Sequence, residues 1–355
     1  MISKADAKAV LLGDKEQLQA LSAGKPFELA ITLGAMKTAY MTDIVRQQNE
    51  HLLGAVHNII DKQPKSSLDK LAKQPAQTEG IHRDQHVIST LDETRKDVAK
   101  AREEATLLLP EKVAEDYLAR TPQTRDNTLI IAYTNLERDD ITEHIRDGMR
   151  EEGSLGKENI NTLRMRQVSA TKTELATMMP YKPGLVLSTK PGQYATIESV
   201  DKAHGIVTIK DELTEKTSSF FPRHRDHKFT NLFSLSHKPL STGDRILTRF
   251  TDKERGIVAN ETFEVKSAQS DGIVAATKDG KLLNLNPGQM KDGLWDYAYT
   301  RTADMAQGAT YRNVIASVRG KGMLTDIRRA GIDQTRASQH MRLYTDNPRP
   351  CLKVG

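Results

Sequence analysis

Apolar positions along the chain fall into three regimes. In the first, Lys8–Leu12 (KAVLL) is a short apolar run closed by Gly13-Asp14, which predicts a buried strand turning into a loop. Pro26, after Gly24-Lys25, suits the first turn of a helix carrying Phe27, Leu29 and Ala30. From about Asn49 to Asp61, residues Leu52, Leu53, Val56, Ile59 and Ile60 recur at helical spacing. Residues 62–89 are polar, contain Pro64 and Pro75, and predict a surface loop or an extended excursion. Leu91, Val98, Ala105, Val113 and Tyr117 then predict two helices broken near Pro110, ending at Thr121-Pro122.

The second regime begins with Thr128–Tyr133 (TLIIAY), an apolar run of the kind found in strands buried on both faces. Thr134-Asn135 and a helix over roughly 137–152 follow, giving the strand, loop, helix unit of a doubly wound α/β domain. From Gly184 to Leu285 short β-rich runs are punctuated by glycine, the spacing of small β-barrels. An internal echo, IESVDKAHGIVTIKD (197–211) against VKSAQSDGIVAATKD (265–279), predicts two related β modules. After Trp295, Asn313–Ala316 and Met341–Tyr344 return as strands. The flanks 120–180 and 295–355 must then pair in one sheet around a β insertion.

Composition and charge narrow the classes. At 355 residues the chain exceeds what a single core usually serves. Its one cysteine, Cys351, cannot form an internal bridge, which fits a reducing compartment and a cytoplasmic protein, and leaves no thiolate zinc cluster. No apolar run approaches the ~20 residues of a membrane span, so no membrane insertion is expected. Lys216–Arg255 holds nine Lys/Arg against four Asp/Glu, and Arg319–Lys353 eight against three, while the whole chain carries +5. The rest is therefore acidic, and the two basic stretches predict a polyanion-facing side. The first stretch also holds five of the seven phenylalanines, which either stack bases beside Arg223, Arg225 and Lys228 or fill a barrel core. His82 and His86, or His224 and His227, have metal-compatible spacing without a carboxylate or thiolate partner, and no metal site or catalytic triad is assigned.

Four ordered segments resemble superfamily 1B helicases of the RecD-like group. Gly13–Leu18 is similar to their GDxxQL loop and Gly24–Phe27 to their G-x-P-F. Asp43–Gln47 resembles the segment whose arginine reaches the nucleotide's terminal phosphate. Ala306-Gln307-Gly308-Ala309-Thr310 resembles the "aQGxT" loop that contacts single-stranded DNA, and Gln334–His340 the "TRA" segment with a second phosphate arginine. Gly243-Asp244-Arg245 and Gly256–Glu261 look like the SH3-like 2B insertion of those enzymes. The combination resembles the conjugative relaxase-helicases of F-like plasmids, the DNA helicase I group.

The resemblance implies an α/β, RecA-like 2A half with an inserted β-rich SH3-like 2B region, preceded by a fragment of an N-terminal RecA-like domain. Its expected divisions are 1–62, the remainder of 1A; 63–120, a helical excursion; 121–183, the first part of 2A; 184–290, the 2B-like insertion; and 291–355, the second part of 2A. It implies nucleotide-side positions at Gln17, Arg46, Gly308 and Arg336, and DNA contacts from Gln307 and Thr310. Thr134 and Asn135, after the buried strand, and the cations Arg223, Arg225 and Lys228 of the basic stretch are further DNA-binding candidates.

Two departures shape the expected function. The sequence contains no G-x-x-x-x-G-K-[ST]: the Gly-Lys pairs at 24, 156, 280 and 320 are followed by Pro, Glu, Leu and Gly. Asp304 stands where the family often has histidine in the DNA loop. The expectation is a noncatalytic module that binds single-stranded DNA, without a cofactor of its own, while ATP and magnesium serve the full-length family protein, a relaxase and helicase. The resemblance further implies a signal for type IV secretion, read by the coupling protein, and transport to the recipient cell. The alternatives are the motor half of an active 5'-3' helicase whose phosphate loop lies upstream, and a pure protein docking module.

Overall fold

The computed structural model describes residues 10–13, 26–40, 43–190, 192–224, 231–319 and 333–346. The chain divides into two compact units, one of residues 1–148 with 299–355 and one of 149–298.

The first unit opens with helix α1 (Pro26–Thr32). Helix α2 (Glu50–Ile60) follows, its N-terminus capped by Asn49, whose side-chain oxygen accepts the amides of His51 and Leu52 at 2.9 and 3.2 Å. Helix α3 (Pro64–Ala72) and strand β1 (Val87–Ser89) occupy the segment that reads as a loop. Pro64 opens α3, where a missing amide costs nothing, and Leu68 and Leu71 bury one turn further on. Helix α4 (Val98–Leu118) runs through Pro110 without breaking. The proline withdraws one helical hydrogen bond, but burial of Ala105, Leu109, Val113 and Tyr117 along one face holds the two halves in line. Short helix α5 (Pro122–Asp126) leads into strand β2 (Thr128–Ala132), buried at every position, and helix α6 (Asn135–Glu151) follows. Val10–Gly13 forms no strand; Val10, Leu11 and Leu12 are exposed and have no pairing partner among the described residues.

Apart from the end of α6 and short 3-10 turns, the secondary structure among the described residues of the second unit is β. Its strands are β3 (Ile160–Val168), β4 (Val186–Lys190), β5 (Gln193–Asp201), β6 (Ile206–Asp211), β7 (Thr217–Phe220) and β8 (Asn231–Leu240). Then come β9 (Arg245–Thr248), β10 (Thr262–Gln269), β11 (Gly272–Ala276), β12 (Leu282–Leu285) and β13 (Trp295–Tyr297). They form a six-stranded sheet ordered β3-β8-β4-β5-β6-β7 and a five-stranded sheet ordered β12-β11-β10-β9-β13. The unit is wider than the 184–290 insertion read from the sequence, because β3 pairs along its whole length with β8. Residues 149–183 thus fold with the β strands, and 291–298 with them.

The internal echo is a repeated hairpin. β5 and β6 pair with a bulge between Ile197 and Ser199, and β10 and β11 with a bulge between Val265 and Ser267, the equivalent place in the repeat. Each hairpin lies in its own sheet. Of the phenylalanines in the basic stretch 216–255, Phe233 is buried and Phe220 packs against the core of Tyr181, Leu187 and Ile197, so these two fill the interior. The two sheets are tied by Arg164 of β3, which pairs with Asp296 and lies 5.9 Å from the Trp295 ring, while the indole donates to the Leu163 carbonyl at 3.1 Å.

The chain then returns to the first unit through strand β14 (Thr300–Thr302), helix α7 (Ala303–Ala306), strand β15 (Tyr311–Val318) and strand β16 (Ala337–Thr345). The flanks do pair in one sheet. Its order is β1-β16-β15-β2-β14 and every neighbouring pair is parallel. One face carries Leu129, Ile131, Val314, Ala316, Met341 and Leu343, packed with Leu52 and Ala55 of α2 and Leu68 and Leu71 of α3. The architecture is therefore mixed α/β, a parallel sheet with helices joined to antiparallel β sheets.

A buried ionic cluster fastens residues 77–86 to this sheet. Asp116 of α4 accepts from Arg342 of β16, from Arg120 at 3.1 Å and from the Ile81 amide at 3.0 Å. Gly80 passes so close, at φ +93°, that a Cβ there would lie 2.3 Å from Asp116 Oδ1 and 2.5 Å from Arg342 Nη1. Gly80→Ala combines backbone strain with disruption of a buried pair, so the unfolding transition of the first unit should lose about 3 kcal/mol in denaturant titrations. A loss below about 1 kcal/mol would show that the segment relaxes away freely.

Candidate nucleotide-side and nucleic-acid site

Segment 46–48 docks along the start of β16. The Gln47 side-chain amide donates to the Ala337 carbonyl at 2.9 Å, and the Gln48 backbone amide to the Ser338 carbonyl at 2.7 Å. These bonds bring Arg46 to Arg336. Arg46 Nη1 donates to the Thr335 carbonyl at 2.6 Å, while Arg336 donates to the Ala309 carbonyl at 3.3 Å and the Thr335 hydroxyl at 2.9 Å. Arg336 is buried, and burial followed by the charge of Arg46 pushes it down to about 10, with Asp333 pulling the other way. It remains a cation at neutral pH. Two guanidiniums held this close repel each other, an arrangement that a bound anion relieves.

Gln307, Gly308 and Thr310 are exposed in the connection from α7 to β15, and Gly308 takes φ +84° with open space around it. Register fixes their height on the sheet. Thr302 pairs with Ala132 at the carboxyl end of β2, whereas Asn313 pairs with Thr128 at its amino end. Residues 303–310 therefore descend the length of β2, roughly 15 Å, toward Arg336.

Thr134 and Asn135 lie at the opposite end, where β2 turns into α6. The Thr134 hydroxyl accepts the Glu137 amide at 3.2 Å, and Glu137 Oε2 accepts the Tyr133 amide at 3.1 Å, a reciprocal cap at the helix start. Glu137 is fully buried, accepts from Ser317 and lies 3.7 Å from Arg319; burial, above all, pushes its carboxyl up. Thr134 thus has a structural task, and Asn135 is the exposed member of the pair. The sheet brings Arg46, Arg336 and the Gln307–Thr310 segment together and sets Thr134 and Asn135 apart from them.

Arg223 is exposed on the β unit, next to Phe221, whose ring stacks on His224 at 5.0 Å. Gln17, Arg225 and Lys228, with His227, lie outside the described residues. His86 is buried beside Arg342, a neighbour that disfavours a metal cation. Among the described residues no three His, Cys, Asp or Glu side chains gather as a metal site, and no helix is long and apolar enough to cross a membrane.

The basic stretch 319–353 is in part an interior feature: Arg336 and Arg342 are buried, and Arg342 pairs with Asp116. Sequence reasoning also passes over Gln47 and Gln74. Gln74 donates to the Met341 carbonyl at 2.8 Å and accepts its amide at 3.0 Å, standing in for a neighbouring strand. The i, i+4 spacing of Asp116 and Arg120 was a legible signal for the ionic cluster.

The ordered motifs are those by which the sequence resembles superfamily 1B helicases, on a mixed α/β frame with a parallel sheet. Comparison narrows this: the multifunctional conjugation protein TraI of Escherichia coli strain K12 is 30% identical over 372 residues, covering 98% of this chain and 21% of TraI. The chain is TraI-like along nearly its whole length, and it spans about a fifth of that relative. A second Escherichia coli TraI is 29% identical over 368 residues with the same coverage. An AAA domain family model matches residues 1–81. Among solved structures, Bacteroides Pif1 bound to ssDNA aligns with 96% of this chain and 62% of its own at 12% identity and a TM-score of 0.47.

Proposed function

We propose that this chain is a noncatalytic helicase-like module of a conjugative relaxase-helicase, which binds single-stranded DNA and carries a translocation signal for type IV secretion. The observation that carries the reading is the meeting of Arg46 and Arg336. Two segments 290 residues apart, each resembling a phosphate-side element, are joined through Thr335. The end-to-end likeness to TraI supplies the conjugative context.

The sequence has the arginines of a nucleotide site but no phosphate loop to cradle the β-phosphate, and phosphoryl transfer without that template lacks both positioning and charge neutralisation. In this reading ATP and magnesium belong to the working helicase of the full-length protein. The 2A-type, RecA-like half is the parallel sheet unit, and the β unit is the SH3-like 2B-type insertion. The exposed Gln307–Thr310 loop and Asn135 meet the strand, with Arg223, Arg225 and Lys228 as further cations. Vestigial roles fall to Gln17, Arg46, Gly308 and Arg336. The partner is the secretion coupling protein, and the module works in the bacterial cytoplasm before transfer to the recipient. The motor half of an active helicase remains the competing reading.

Alanine at both Gln307 and Thr310 should weaken binding of a fluorescent single strand by roughly 1–2 kcal/mol, the scale of lost hydrogen bonds to a charged ligand. Affinity should also fall steeply as salt rises. Unchanged affinity in the double variant would move the strand elsewhere.

The secretion signal is assigned to the β unit, which has hydrophobic cores of its own and compact bounds at 149 and 298. Grafted onto a reporter, residues 149–298 should direct delivery to recipient cells. A graft that is never delivered, beside a parent with folded surface substitutions in this unit that transfers normally, would place the signal outside it.

A further inference from the structure

The ionic cluster under residues 77–86 does not balance its charge. Arg120 and Arg342 are 3% and 0% exposed, and they share Asp116, itself fully buried. Both oxygens of Asp116 are committed: Oδ1 to Arg342 and the Ile81 amide, Oδ2 to Arg120 at 3.1 Å. One guanidinium charge is left over in the interior, where uncompensated ions are strongly disfavoured.

The polar atoms around this charge are also incompletely paired. His340, Arg342 and Tyr344 alternate onto one face of β16, and His86 lies opposite Arg342 because the next residue, Val87, pairs with Leu343. Arg342 Nη2, His340 Nδ1, both ring nitrogens of His86 and the Tyr344 hydroxyl are buried without a hydrogen-bond partner. Arg342 has nothing to offer but donors, and a neutral imidazole keeps one N–H. Burial and then the surrounding cations hold both imidazoles below the usual histidine range: Arg342 and His340 act on His86, and Arg312, Arg120 and Arg342 on His340. The Gln74 backbone and Asp84 pull His86 the other way, and the Tyr344 phenol stays protonated, pushed up by burial and Asp116. Neutral imidazoles and the phenol can accept as well as donate, so what the cluster lacks is negative charge.

We propose that this cluster binds one small inorganic anion of the halide class, held between Arg342, His86 and His340 as a fixed part of the fold. A water molecule would satisfy the donors but leave the charge uncompensated. The enclosure favours a small, monatomic ion, since Arg342, Tyr344 and His86 are each within 1% of full burial and only the half-buried His340 opens toward the surface. A halide also accepts donors from any direction, which suits groups contributed by two adjacent strands. The anion would tie β1 to β16 and so reinforce the edge of the sheet that Gln74 and residues 77–86 cover.

The direct test is a crystal of the full chain grown in sodium bromide. A single anomalous peak in hydrogen-bond contact with Arg342 Nη2 and the His86 ring is expected; water density without anomalous signal there overturns the proposal. In solution, at ionic strength held constant with glutamate, replacing glutamate by chloride should stabilise the fold. The folding constant should approach about a tenfold gain per tenfold rise in chloride above its dissociation constant. Arg120→Met leaves Asp116 and Arg342 as a neutral pair and should abolish that gain. Equal stability in chloride and glutamate contradicts the site, and if the variant does not fold, the bromide map of the unaltered chain decides.

Discussion

The parallel pairing of β2 with β14 and β15 is the constraint on which the rest of the molecule depends. A parallel neighbour cannot be reached by a tight turn, and here the crossover from β2 to β14 contains α6 and the whole β unit. β2 is buried at all five positions, so its Leu129, Ile130 and Ile131 have no stable place until residues 300–318 arrive on both sides. The β unit must fold on its own cores for that closure to occur. It does so with two sheets tied through Arg164, Trp295 and Asp296.

Everything assigned to the nucleotide side follows from where that sheet places its ends. β16 begins beside the Arg46 segment, and its first residues receive Gln47 and Gln48. The descent of residues 303–310 along β2 then brings the Ala309 carbonyl to Arg336. At the far edge of β16 the polar interior takes over. Asp116, Arg120 and Arg342 hold residues 77–86 across the sheet, and Gln74 completes the hydrogen bonding that the three-residue β1 is too short to reach.

Much of this was legible in the residues. Continuous apolar runs such as TLIIAY marked buried parallel strands, Asn49 and the Leu52/Val56/Ile59 spacing marked α2, and the echo of 197–211 in 265–279 reappears as two hairpins bulged at the same place. Other features were hidden for physical reasons. Pro64 and Pro110 read as breakers, yet one sits where a helix lacks a partner for its amide and the other is overridden by packing. β3 carries Arg164 and Arg166 among its apolar residues, and only the pairing with β8 reveals it as a strand of the β unit. The basic count near the end of the chain misled because Arg342 spends its charge on a buried carboxylate 226 residues away. Of the candidate site, the ordered motifs named Arg46, Arg336 and Gln307, whose segments meet at the start of β16. The capping task of Thr134 emerged once Glu137 was seen to reach back to Tyr133.

In the proposed reading the chain keeps the arginines and the strand-facing loop of a helicase without the loop that positions a triphosphate for chemistry. The central claim of that reading is separation of binding from turnover. The most direct test is phosphate release from ATP by the purified chain, with magnesium, at a single-stranded DNA concentration that saturates it in the same cuvette. The account predicts saturable DNA binding with no release above background, whereas DNA-stimulated turnover above a few per minute, about the low end of enzymatic rates, would contradict it.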